Sequence, residues 1–187
     1  MVKNNFEWVT YVPWAHQRNC ESPEVRQRQR IPNDSLSLVR KDSIWRSKIN
    51  LAHDAGLKVF LKPHIWIFEP IDGTWRSDIF PTNEENWETW KTSYRKFILY
   101  YAQIAEKYDV EMFCIGTEFT RLAIEKTEYW EKLISEVRNI YSGKLTYAAN
   151  WYQEFEKITF WDQLDYCLLY TSPSPRDATL SRMPSSA

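Results

Sequence analysis

The feature that most constrains this chain is a regular alternation of apolar, β-type runs with stretches of helical periodicity. Residues 8–14 and 57–67 are rich in β-branched and aromatic residues and read as strands, the second being the strongest strand signal in the chain. Shorter apolar strands follow at 110–116 and 144–151, and another opens at 164–166. Between them lie helical signals. One starts near Ser43 and stops at Gly56, a second covers 84–107, and a third runs from about Thr127 to Tyr141. The second carries Trp87, Trp90, Tyr94, Phe97, Ile98, Tyr101 and Ile104 at spacings of three and four. A short helical stretch is expected near 155–161. Five hydrophobic strands separated by helices predict parallel βαβ units, an α/β fold. Residues 18–34, with three Arg between 26 and 30, carry no period and read as a solvated loop, as do the Pro- and Gly-containing residues 68–83.

Composition narrows the function classes. With 24 Lys+Arg against 25 Asp+Glu, the formal charge of -1 excludes a dominant phosphate-binding surface, so no nucleic-acid partner is expected. No apolar run is long enough to span a bilayer, so no membrane partner is expected, and residues 1–7 lack the apolar core of a signal peptide. Cys20, Cys114 and Cys167 are odd in number and widely spaced, which suits neither a disulfide framework nor a zinc site. The excess is aromatic: 10 Trp, 11 Tyr and 9 Phe beside only 4 Gly. That many rings serve either a heavily aromatic core or a surface that stacks flat ligands, and composition leaves both open. Beyond Tyr166 the character changes, and 171–187 is Ser/Pro-rich without a period. The expectation is therefore a domain over 1–166 and, over 167–187, translated adaptor sequence, the alternative being a disordered native tail.

Parallel α/β folds place their sites at the carboxyl ends of the strands. There the first strand delivers Trp14, His16 and Gln17, the second Lys62, His64 and Trp66, the third Glu118, and the fourth Asn150 and Trp151. Flat rings with Asn, Gln, His and Glu beside them are equipment for gripping a sugar. Glu118 stands out because it follows an apolar strand and Gly116, where a charge is costly. It reads as a general acid/base or as a helix N-terminal Glu favoured by the dipole. His64 bonds a sugar hydroxyl or is a satisfied structural histidine. Trp66, Trp75, Trp14 and Trp151 are candidate platforms, Asn150 orients the acid/base or contacts the sugar, and Gln17 is a candidate hydroxyl ligand. Trp87, Trp90, Trp130 and Trp161 read as core, His53 as structural, and Cys114 as buried and unreactive. Glu154 and Glu156 read as solvated or rim groups, and Asp165 as a group that points into the barrel or holds a neighbour.

Lys62-Pro63-His64-Ile65-Trp66, Gly116-Thr117-Glu118, Thr146-Tyr147-Ala148-Ala149-Asn150-Trp151 and Phe160-Trp161-Asp162-Gln163-Leu164-Asp165-Tyr166 resemble, in order, glycoside hydrolase family 113. The resemblance covers about residues 8–166 and implies a (β/α)8 TIM barrel of clan A acting on β-mannans. It implies that Glu118, ending barrel strand four, matches the acid/base of a retaining enzyme. The nucleophile of such an enzyme lies on strand seven, about 5 Å from the acid/base. Residues 8–14 then match strand two and 164–170 strand six, so the chain is expected to be a partial barrel (about strands 2 to 6) without its nucleophile, inactive alone. The implied partner is a β-linked oligosaccharide or polysaccharide. No metal or organic cofactor is expected, and the whole enzyme is expected to be a monomer. The compartment stays open, since a leader would precede strand one. The competing reading is a noncatalytic carbohydrate-binding or structural barrel domain.

Overall fold

The computed structural model describes residues 6–27 and 35–170. Expectations placed on 1–5, on 28–34 and on 171–187 lie outside the described residues. Elements run β1 (Trp8–Tyr11), β2 (Trp14–Gln17), β3 (Arg26–Gln27), α1 (Ser35–Asp54), β4 (Lys58–Leu61) and β5 (His64–Ile67). They continue α2 (Glu84–Lys107), β6 (Met112–Thr117), α3 (Thr120–Glu125), α4 (Thr127–Arg138), β7 (Lys144–Asn150), α5 (Glu154–Lys157) and β8 (Tyr166–Tyr170). Two single 3-10 turns, Arg76–Asp78 and Trp161–Gln163, complete the order.

The architecture is α/β. Five strands form an all-parallel sheet in the order β1-β4-β6-β7-β8, which is the chain order of its members. Such consecutive parallel pairing through helices is the build of a TIM barrel, and among the described residues the sheet is open rather than closed.

The two long strands expected at 8–14 and 57–67 are each broken in two, and proline explains it. Tyr11 pairs with Leu61 and Trp14 with His64, so Pro13 and Pro63 fall opposite each other in one register. Neither has an N–H for the ladder, so both strands break at the same level. Beyond the break, β2 and β5 leave the main sheet, and β2 pairs with both β3 and β5 in a separate three-stranded sheet.

Helix boundaries follow local chemistry. Helix α2 starts where Asn83 accepts the Asn86 N–H at 2.8 Å, an N-cap. Helix α1 starts at Ser35, earlier than expected, and ends in a Schellman motif: Leu57 N–H reaches Ala52 O, Gly56 N–H reaches His53 O, and Gly56 has φ 75°. Helices α2 and α4 cover the sheet with Trp87, Trp90, Tyr94, Trp130 and Leu133, buried as expected, and with Tyr129 beside them. Gly116 in β6 is required by this packing. A Cβ there would lie 2.7 Å from the Tyr147 ring and 2.9 Å from that of Trp130.

At the opposite, amino end of the sheet, Asp165 accepts Leu145 N–H at 2.8 Å and pairs with Arg138 at 2.7 Å, so it does hold neighbours. His53 meets Glu111 at 3.3 Å at the same end. Strand β8 extends through Tyr170 and so carries Cys167 into the sheet.

Candidate active site

Glu118 leaves the carboxyl end of β6 with φ 53°, a left-handed conformation unusual for a non-glycine residue. Its N–H donates to Ala148 O of β7 at 2.8 Å, and the residue is only 7% exposed. A buried carboxylate needs partners, and Arg76 supplies one: its Nε donates to Glu118 Oε2 at 2.8 Å. Arg76 sits on the first 3-10 turn, which is closed by Trp75 N–H donating to Asp78 Oδ2 at 2.7 Å. Its guanidinium also lies 5.0 Å from the centre of the Trp75 ring. No motif pointed to Arg76, because its partner lies 42 residues away.

Arg76 reaches a second site residue. Its Nη1 lies 3.0 Å from His64 Nδ1 at the start of β5. A guanidinium has only N–H donors, so Nδ1 is the acceptor and the ring proton resides on Nε2. Burial, and then the neighbouring charges of Lys62 and Arg76, push the His64 pKa down to about 3. His64 is therefore a neutral imidazole at ordinary pH, with Nε2–H as a fixed donor. Lys62, also buried, has its pKa lowered first by desolvation and further by Arg76, against the opposing pull of Cys114 and Glu118. Cys114 is fully buried, and that burial pushes its thiol up, which makes it inert.

The expected aromatic platforms are open. Trp14, Trp66, Trp75 and Trp151 are all exposed, Trp151 at 61%. Trp14 sits 5.1 Å from the His64 ring and 5.9 Å from that of Trp66, edge-on to the latter. His16 pairs in register with Trp66. At the end of β7, Asn150 Oδ1 accepts Tyr152 N–H at 3.2 Å.

Two expectations change. Gln17 is 1% exposed, and its amide is engaged on all sides. Nε2 donates to Asn19 O and Ser22 O, and Oε1 accepts from Trp90 Nε1 at 2.9 Å. It anchors the chain after β2 to the helix layer instead of facing a ligand. Glu154 is not a solvated rim group but is 0% exposed. It accepts from Tyr147 Oη at 2.5 Å, Asn150 N at 2.7 Å and Thr120 Oγ1 at 3.0 Å. Glu156 two residues on is exposed, as expected. Sequence spacing missed Glu154 because its donors come from β7 and α3, up to 34 residues distant.

Among the described residues, no group of three or more His, Cys, Asp or Glu is arranged to hold a metal, and no helix is long and apolar enough to cross a membrane. The model of Glycoside Hydrolase Family 113 matches residues 1–177. Two solved structures of a GH113 beta-1,4-mannanase, one a complex, superpose at TM-score 0.74 with 33% identity over 94% of this chain and 55% of theirs. The GH113 beta-mannanase AaManA from Alicyclobacillus acidocaldarius, in complex with ManMIm, superposes at TM-score 0.73 with 32% identity over 88% of this chain and 50% of that one. The chain thus spans about half the length of the solved relatives it matches. No curated protein matches it.

Proposed function

Because this chain belongs to Glycoside Hydrolase Family 113, we propose that it carries the acid/base half of a retaining β-glycoside hydrolase acting on β-mannan-type chains. The observation that carries this reading is Glu118, a nearly buried carboxylate at the carboxyl end of a parallel strand, gripped through one oxygen by Arg76. With Oε2 held, Oε1 delivers the proton to the glycosidic oxygen as the leaving sugar departs, and later receives one from water. His64 donates from Nε2 to a sugar hydroxyl, Asn150 offers its amide, and Trp14, Trp66, Trp75 and Trp151 stack on pyranose faces. The solved mannanase relatives support mannan as the substrate class.

Retention also needs a nucleophile about 5 Å from the acid/base. Glu154 does not serve, being saturated by three donors, and Asp165 and Glu111 lie at the far, amino end of the sheet. The nucleophile comes from outside this chain, and the barrel domain runs past the expected boundary at 166 to include β8 through Tyr170. The whole protein works as a monomer.

The test is Glu118→Gln in the whole protein. Cleavage of β-1,4-mannooligosaccharides should fall by about 10²–10⁴-fold while their affinity stays within about threefold. Undiminished turnover would remove Glu118 from the mechanism. Tight oligosaccharide binding by the unmutated whole protein with no turnover would select the noncatalytic reading.

A further inference from the structure

Glu154 is a fully buried carboxylate that substrate chemistry does not use, and its contacts form a clasp. Tyr147 Oη donates to Glu154 Oε1 and accepts the Phe119 N–H at 2.9 Å. Glu154 Oε2 takes the Asn150 N–H and the Thr120 hydroxyl. One side chain thus ties the two residues that follow Glu118 to the end of β7, where Asn150 sits.

The geometry around Glu118 shows why that matters. The peptide on its amino side is fixed by its N–H on Ala148 O, and the peptide on its carboxyl side by Phe119 N–H on Tyr147 Oη. Both flanking peptide planes are held, so the Cα–Cβ direction of Glu118 is set by β7 and its loop. Glu118 at φ 53° and Gln153 at φ 61° are both left-handed non-glycine residues. Such a residue is strained and persists only where its surroundings over-determine it. Resting on the reading of Glu118 as acid/base, we propose that Glu154 is a positioning residue: through Tyr147 it fixes the backbone that aims Glu118, and through Asn150 it registers that aim against the sugar-binding end of β7. Burial, the largest influence, holds the Glu154 carboxyl above the usual carboxylate range, with its three donors pulling the other way.

The experiment is Glu154→Gln in the whole protein, read by site-resolved amide exchange and by steady-state kinetics. Gln keeps the shape, but it has a single acceptor oxygen, so its NH2 replaces the acceptor either for Tyr147 or for Asn150 and Thr120. Exchange at Phe119 or at Asn150, on whichever side loses its acceptor, should rise at least about tenfold, with β6 amides such as Phe113 changing by less than about threefold. Misaiming the acid/base should lower kcat by about 10–100-fold with KM within about twofold. Thr120→Val, which removes one of the three bonds and spares the Tyr147 link, should give the same pattern at smaller amplitude and serves if Glu154→Gln does not fold. Unchanged exchange at Phe119 and Asn150, or unchanged kcat once exchange there has risen, overturns the proposal. A uniform rise in exchange across β6 overturns it too, as that marks a purely structural group. Turnover surviving Glu118→Gln refutes the catalytic reading instead, whatever the exchange shows.

Discussion

Two aromatic regions of this molecule use the same residue types for opposite ends. Between the helices and the sheet, Trp90 stacks on Tyr94 at 4.8 Å and on Trp87 at 5.8 Å, and its N–H is closed by Gln17. Trp130 donates to Leu122 O at 3.1 Å and Tyr94 to Ile115 O at 2.8 Å. All four rings are buried, and the polar atoms of Trp90, Trp130 and Tyr94 are bonded, so they are core. At the carboxyl ends of the strands Trp14, Trp66, Trp75 and Trp151 are exposed, with Trp14 and Trp66 packed edge to face and the Arg76 guanidinium over one face of Trp75. What separates core from platform is whether ring face and N–H are already satisfied, not the residue type.

The comparison breaks most sharply at Trp90. Trp90→Ala should destabilise the chain by about 3–5 kcal/mol in chemical denaturation. A loss under about 1 kcal/mol would mean the belt is not core. Next comes His64, which borders the open rim but is itself buried. The unfolded chain takes up its proton near pH 6.5 and the native one only near 3, so the unfolded state binds more protons between those values. Stability held above pH 6.5 is thus lost on acidification through that window, by up to about 1.4 kcal/mol per pH unit. His64→Gln should flatten the dependence relative to wild type, and identical slopes between pH 6.5 and 4 would contradict the burial argument. The smallest effect belongs to Trp151→Ala. Stability should stay within about 0.5 kcal/mol, while calorimetric affinity for mannooligosaccharides should weaken by about 0.5–1.5 kcal/mol. A stability loss as large as that of Trp90→Ala would erase the distinction between belt and rim.

Much of the frame was legible in the sequence because it is local. Helix α2 falls on the expected bounds, since its aromatic spacing and the Asn83 cap are both written in consecutive residues. Strand order was readable from alternation, and Glu118 from its place after an apolar strand. The paired prolines were visible, but that they oppose each other depends on register, which no single strand reveals. Helix α3 was missed because six residues, Thr120–Glu125, hold less than two turns of periodicity. Arg76, Tyr147 and Glu154 were not legible as site residues, and Gln17 was placed wrongly, for one reason. Their roles come from contacts across tens of residues, and burial decides whether a polar side chain faces a ligand or a neighbour.

The most direct test of the account is azide rescue of Glu118→Ala in the whole protein, using an aryl β-mannoside with a good leaving group. Such a substrate needs no general acid to form the glycosyl-enzyme, and without the Glu118 carboxylate azide can attack its anomeric carbon from the β face. The account predicts faster turnover with azide and a β-mannosyl azide product. Hydrolysis that ignores azide, with unactivated mannooligosaccharides still cleaved at the wild-type rate, would contradict it.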